Sequence, residues 1–170
     1  MNDGNRESGF ARRIPTSKSR IPALVVSTVF GIGYIPFAPG TFGSAFGLLI
    51  WSLLPPSPLV HGAAIVLLFI AGSWSSSVAE GHFGRADPGQ VVIDEVMGML
   101  ITLFLNPVGW AGAGLAFVLF RVADILKPYP ANRFERLQGG VGVMADDGMA
   151  AIYANLALRG TLALGNWVIG

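Results

Sequence analysis

The chain has no cysteine, which excludes disulfides, thiolate metal sites and phosphatase chemistry built on a cysteine nucleophile. It has two histidines, His61 and His82, and neither stands in a motif with a partner. Charge is scarce as well. Charged residues make up 12% of the chain, about half of the ~25% usual in globular domains. Period-two alternation of apolar and polar residues is rare, which argues against strands. No secretory signal is evident: the first apolar stretch, Ile21 to Ile35, starts late, holds glycines and runs into Pro36 and Pro39 without a small-residue cleavage site.

What is abundant is apolar sequence. Hydrophobic residues account for 52% of 170, and the mean hydropathy is +0.60. The expected fold is therefore all-α: one compact, membrane-associated helical domain with several short or broken apolar helices. The formal net charge of +1 says little about partners, but the charges are unevenly placed. Arg6, Arg12, Arg13, Lys18 and Arg20 precede the first apolar run, against only Asp3 and Glu7. Residues 1–20 read as a basic, disordered tail on the cytoplasmic side of a membrane, and residues 21–170 as a single helical catalytic domain. A basic tail of no specific function fits the same composition.

Punctuation along the chain divides the apolar sequence. Ile21 to Tyr34 is either a short helix or an extended stretch, weakened as a helix by Gly31 and Gly33. The loop around Pro36 and Pro39 leads to Thr41, placed to cap a helix from Phe42 to about Leu54, which Pro55-Pro56 stops. Leu59 to Ala79 has no formal charge and is long enough to span a bilayer. Gly81 to Gly89 reads as a polar loop, Val91 to Leu105 and Pro107 to Leu126 as helices, and Ala131 to Gly140 as a surface segment. A last helical region runs from about Asp146 to Trp167, with a break near Gly160.

Half of the ten acidic residues lie inside this apolar material: Asp94, Glu95, Asp124, Asp146 and Asp147. A carboxylate near a bilayer centre costs about 2.5–3.5 kcal/mol on insertion scales, so five would cost ~12–17. Such groups persist only if they face water, pair with cations or bind metal. They fall at helix ends, and convergence of those ends would put all five in one pocket. Helix-dipole placement alone accounts for acids at an N-terminus but not for Asp124 at a C-terminal end. Oxygen ligands without cysteine point to a hard cation, most simply Mg²⁺. Arg121 and Lys127, three residues either side of Asp124, share its helix face and suit a phosphate beside such a cation, though internal salt bridging fits them too.

Four blocks carry a family resemblance: Pro39-Gly40-Thr41-x-Gly43-Ser44, Asp94-Glu95-x-x-Gly98, Phe120-Arg121-x-x-Asp124-x-x-Lys127-Pro128-x-Pro130, and Gly139-Gly140-x-Gly142-Val143-Met144-x-Asp146-Asp147-x-x-Ala150. In this order, over about residues 31 to 155, the chain resembles the phosphatidylglycerophosphatase A family. That resemblance implies a Mg²⁺-dependent lipid phosphatase acting on phosphatidylglycerophosphate in phospholipid synthesis. It implies a multi-pass protein of the inner membrane with its site facing the cytoplasm. The expected partners are a phospholipid substrate and the membrane, with no nucleic acid. By the same resemblance Asp94, Glu95, Asp124, Asp146 and Asp147 are the catalytic and metal-binding acids, and Arg121 and Lys127 the basic residues. Thr41 and Ser44, near a helix N-terminus, offer hydroxyls and amides to a phosphate or simply cap the helix.

Other readings fit less well. Asp147-Gly148-Met149-Ala150-Ala151-Ile152 begins like the CDP-alcohol transferase signature but lacks its arginine and everything downstream. A small cation carrier or channel subunit would also place acids in the membrane, yet these acids sit beside Arg121 and Lys127.

Overall fold

The computed structural model describes residues 17–127, 129 and 139–169. Most of the basic tail and of the stretch Ala131 to Gly140 lies outside the described residues. Those described form six α-helices and one 3-10 turn, with no strand among them. In chain order these are α1 (Ser17–Ser27), the 3-10 turn (Ile32–Tyr34), α2 (Pro39–Leu53), α3 (Pro58–Phe83), α4 (Ile93–Leu103), α5 (Trp110–Leu126) and α6 (Gly140–Ile169).

The organising element is α4. Nine of its eleven residues are buried, because α2, α3, α5 and α6 all pack against it. A helix apolar on every side belongs in a core, and Val96, Met97, Met99, Leu100 and Leu103 supply that surface. Glycines let its neighbours approach closely. A side chain at Gly98 would run into the Phe120 ring of α5. On α2, a Cβ at Gly43 or Gly47 would stand 2.9 Å from Val92 Cβ or 2.8 Å from Met99 Cβ. Small residues at a crossing bring two backbones together and replace lost side-chain area with backbone contact.

Eleven residues give α4 a length of only ~16 Å, roughly half of a bilayer's apolar thickness. Its final carbonyls would therefore end unsatisfied in the core. Asn155 of α6 meets that need, with Nδ2 2.9 Å from the carbonyl oxygens of Ile101, Thr102 and Phe104. Arg159 donates to Asn155 Oδ1 at 2.9 Å and to the Phe104 carbonyl at 3.3 Å. Asn106 adds a bond to the Thr102 carbonyl at 3.1 Å.

Several boundaries differ from the sequence expectation. α2 starts at Pro39 and is capped by Ala38, in left-handed conformation (φ 47°) and without a side-chain bond, so Thr41 is not its cap. α3 runs on to Phe83, taking His82 into the helix. α6 begins six residues before Asp146, since Val143 and Met144 already pack on α3 and α4, and it passes Gly160 without a break. Ile21 to Tyr34 divides into the end of α1 and the 3-10 turn.

One helix, Pro58–Phe83, is long and apolar enough to cross a membrane, and only 28% of its most apolar window is buried inside the protein. Low burial separates it from the core helix of a soluble protein. Large apolar side chains are exposed on other helices too: Leu53 on α2, Val118, Val122, Ile125 and Leu126 on α5, Leu156 on α6.

The cap on α4 gives a stability prediction. Asn155→Ala strands buried carbonyls, so it should destabilise the fold by about 1–3 kcal/mol, read as a lower thermal midpoint in detergent. An unchanged midpoint would show that water or other groups satisfy those carbonyls instead.

Candidate active site

The opposite end of α4 begins with two acids. Val92 anchors the entry by donating its N–H to the Ser27 carbonyl at 2.9 Å, and Asp94 and Glu95 follow in the first turn. Asp94 is 5% exposed and accepts the Glu95 N–H at 3.1 Å. From the last two turns of α5 come Arg121 and buried Asp124. From the second turn of α6 come Asp146 and Asp147, 4% and 5% exposed. Their depth in α6 removes the helix-dipole explanation, which falls off within the first turn.

Asp94, Glu95 and Asp147 each offer an oxygen, all within 4.8 Å of one another. The other two acids carry the cations. Arg121 Nη1 lies 2.7 Å from Asp124 Oδ2 and 3.9 Å from Glu95 Oε1, while Lys127 pairs with Asp146. Lys127 ends α5 in left-handed conformation (φ 42°), its N–H bonded to the Ala123 carbonyl at 2.9 Å. A non-glycine residue held there costs of order 1–3 kcal/mol of local strain. The ammonium thereby turns across to α6.

The N-terminus of α2 closes on this cluster. A side chain at Gly40 would collide with the Glu95 carboxylate, and its Cβ would stand 3.0 Å from Arg121 Nη1. Neighbouring Thr41 is half-buried, with its N–H donating to the Ala38 carbonyl at 2.9 Å. Ser44 is buried and donates its hydroxyl to the Gly40 carbonyl at 2.9 Å, so that hydroxyl serves its own helix. Glu80 and Asp87 form a rim that the residue types alone did not assign. Glu80 is 8% exposed, not a solvated helix end, and its Oε1 accepts the Asp87 N–H at 3.3 Å. The usable signal was position: Glu80 lies one turn beyond buried Ser76 on α3. His61 lies elsewhere, lining a 540 Å³ cavity with Trp51, Leu103 and Asn106 at the far end of α4.

Burial dominates the electrostatics. It raises Asp94 to about 6, helped by the nearby Asp87 and Asp124 carboxylates. Glu95 is pushed well above the ordinary carboxylate range by burial first and then by Asp94, with Asp147 and Asp124 adding to it. Among the described residues, Glu95 Oε2, Asp147 Oδ2 and Arg121 Nε are buried without a hydrogen-bond partner. Unsatisfied buried carboxylate oxygens on Glu95 and Asp147, converging with Asp94, fit a hard cation that takes oxygen ligands.

The sign of the pH dependence follows. A carboxylate with a raised folded pKa holds its proton longer folded than unfolded, so its favourable contribution is complete below its ordinary value. For Asp94 that contribution is lost as pH rises from 3.8 through about 6. Without divalent cations the protein should melt at a higher temperature at pH 5 than at pH 7.5. Millimolar Mg²⁺ should restore the midpoint at pH 7.5 and change little at pH 4.5. A midpoint that ignores Mg²⁺ at every pH would remove the cation from this cluster.

A family model described as phosphatidylglycerophosphatase A matches residues 25–162, slightly beyond the four sequence blocks at both ends. A putative phosphatidylinositol-3-phosphatase of Bacteroides thetaiotaomicron is 41% identical over 161 residues, covering 89% of this chain and 98% of the relative. A phosphatidylglycerophosphatase A of Haemophilus influenzae is 36% identical, covering 87% of this chain and 91% of its own. The protein of that name from Escherichia coli K12 is 34% identical, covering 83% and 86%. No solved structure matches the chain significantly. With a match over most of its length and its acids gathered at one end of the bundle, the chain belongs to the phosphatidylglycerophosphatase A family.

Proposed function

We propose that this protein is a Mg²⁺-dependent lipid phosphatase that hydrolyses phosphatidylglycerophosphate to phosphatidylglycerol and phosphate. The observation that carries this reading is the convergence of Asp94, Glu95 and Asp147 beside Arg121 at one end of an apolar bundle. Family membership and the names of the Haemophilus and Escherichia relatives support it. The chemistry a bound Mg²⁺ supplies is polarisation of the phosphoryl oxygens and activation of water. Asp94, Glu95 and Asp147 would hold it.

The remaining steps belong to side chains. Arg121 and Lys127 offset the charge of the phosphate and of the transition state. Their ion pairs with Asp124 and Asp146 fix where those charges stand before substrate arrives. A carboxylate oxygen without a partner, Glu95 Oε2 or Asp147 Oδ2, takes the proton of the attacking water. As the water oxygen bonds to phosphorus, the bond to the glycerol oxygen breaks, and that oxygen leaves with a proton. Direct attack by an aspartate, giving an aspartyl-phosphate, is the alternative route.

The site is placed at the cytoplasmic face of a multi-pass inner-membrane protein. Exposed apolar helices, the spanning length of α3 and the arginine-rich first twenty residues support that placement. A second substrate follows from the Bacteroides relative, whose name specifies a phosphoinositide. The same carboxylate chemistry serves any exposed phosphomonoester on a lipid headgroup.

The test is phosphate release in detergent micelles from phosphatidylglycerophosphate and, in parallel, phosphatidylinositol-3-phosphate. Release should need Mg²⁺, stop with EDTA, and fall by about 10²–10³-fold in Asp147→Asn and Asp124→Ala. Lys127→Ala should act mainly through a higher KM or weaker transition-state binding. Wild-type rates in Asp147→Asn would refute the site. Cation flux from proteoliposomes without phosphate release would favour the carrier reading.

A further inference from the structure

A second cavity lies on the side of the bundle between α3, α4 and α6, and the reaction as proposed makes no use of it. Its 350 Å³ are lined by Val66 and Phe69 of α3, Met97 and Ile101 of α4, and Gly148 and Ile152 of α6, among others. No lining side chain is charged or offers a conventional hydrogen bond. Its position is set by helix periodicity. Asp94, Met97 and Ile101 are spaced i, i+3 and i+7, one stripe of α4, so the cavity floor starts about one turn beyond Asp94. On α6, Gly148 directly follows Asp147, and Ile152 lies one turn further along.

Gly148 is informative. Its backbone is not in the left-handed region, and a Cβ there would make only ordinary contacts, 3.6 Å from Met97 Cε and 4.0 Å from Ile101 Cδ1. Neither backbone nor packing demands glycine, unlike Gly43 or Gly98. Glycine in a helix costs about 0.5–1 kcal/mol relative to alanine. Here the missing side chain keeps the cavity open. Val66, Phe69 and Ile152 are 57%, 37% and 43% exposed, so the cavity opens sideways through the apolar surface.

We infer that this groove holds the upper part of one acyl chain of the lipid substrate while the carboxylates and cations hold its phosphate. The inference rests on the lipid-phosphatase reading and specifies how that site selects a membrane lipid over a soluble phosphate ester. Its place one helical turn from the carboxylates sets the occupant: an amphipathic molecule whose charged head fills the acidic end has its apolar tail beside the groove. The volume suits it, lying at the low end of the ~300–1,000 Å³ of ligand sites. A second helix, with a diameter of ~10–12 Å, would not enter. Met97, Met144 and Met149 line the groove with flexible, polarisable side chains that adapt to chains of different shape.

The experiment fills the groove from its outer walls with Ile152→Trp and Val66→Trp, and compares dioleoyl phosphatidylglycerophosphate with its deacylated headgroup phosphomonoester. Each variant should raise KM for the lipid about 10-fold or more and leave kcat/KM for the deacylated ester within about threefold. Equal loss on both substrates, or no change on either, overturns the inference. A second measurement needs no turnover. Phosphatidic acid bearing a diazirine on one acyl chain is photolysed with the full-length protein in micelles and the adduct mapped. Adducts on Met144, Met149 or Ile152 that disappear in the Trp variants support the groove. Adducts elsewhere, or crosslinks between two copies of the chain across this face, overturn it. Should the wild type hydrolyse no lipid phosphate, the proposed reaction fails while the adduct map still decides the groove.

Discussion

Everything in this fold answers to the cost of taking carboxylates out of water. Five acids meet at one end of the bundle, and the cations drawn to them are Arg121 and Lys127. Five negative charges against two positive leave an excess of three among these seven residues. Pairing two acids and leaving three together does not minimise charge repulsion; it concentrates it where a divalent ion or a phosphate–metal pair can enter. Asp124 and Asp146 fix the cations, so Asp94, Glu95 and Asp147 are left as oxygen donors. The ion pairs and the triad are thus one device, and removing either partner of a pair would leave an uncompensated charge close to the triad.

The scaffold must hold these groups at sub-ångström tolerance although they come from three different helices. Glycine contacts accomplish this. Gly40 admits the Glu95 and Arg121 side chains against the start of α2, and Gly43 and Gly47 continue the same face along α4. Gly98 seats Phe120, one residue before Arg121. Positions of the chemistry are therefore determined by backbone approach, which is stiffer than contact between long side chains.

Much of this was legible in the residues. Acids isolated in apolar sequence, with Arg121 and Lys127 at helical spacing around Asp124, led to the converging ends found in the structure. The all-helical fold followed from long apolar segments without alternation. What was not legible depended on tertiary contacts. Thr41 looked like a cap because helix starts favour hydroxyls, but the proline at position 39 and the left-handed Ala38 set the start three residues earlier. Asp146 looked like the start of a helix because glycines precede it. Of those glycines, Gly140 and Gly142 lie inside α6, where Gly140 fits against the backbone of Ser73 and Ser77. Glu80 is buried because the 84–92 loop folds over the end of α3, a contact that nothing in the local sequence marks. Which acid pairs with which cation depends on side-chain reach across helices, which spacing along one helix does not encode.

The half-length of α4 has one more consequence. Its N-terminal end meets the acidic cluster, and its C-terminal end meets Asn155 and Arg159. Only ~16 Å of helix separates these two polar ends. For a bundle set in a bilayer, the low-dielectric plug formed by Met99, Leu100, Leu103 and Phe120, each 1% exposed or less, is the electrical insulation between the two compartments. A cluster of carboxylates at one end of such a bundle would draw cations toward its core. The buried layer of Met99, Leu100, Leu103 and Phe120 stands directly beneath the charge that would attract them.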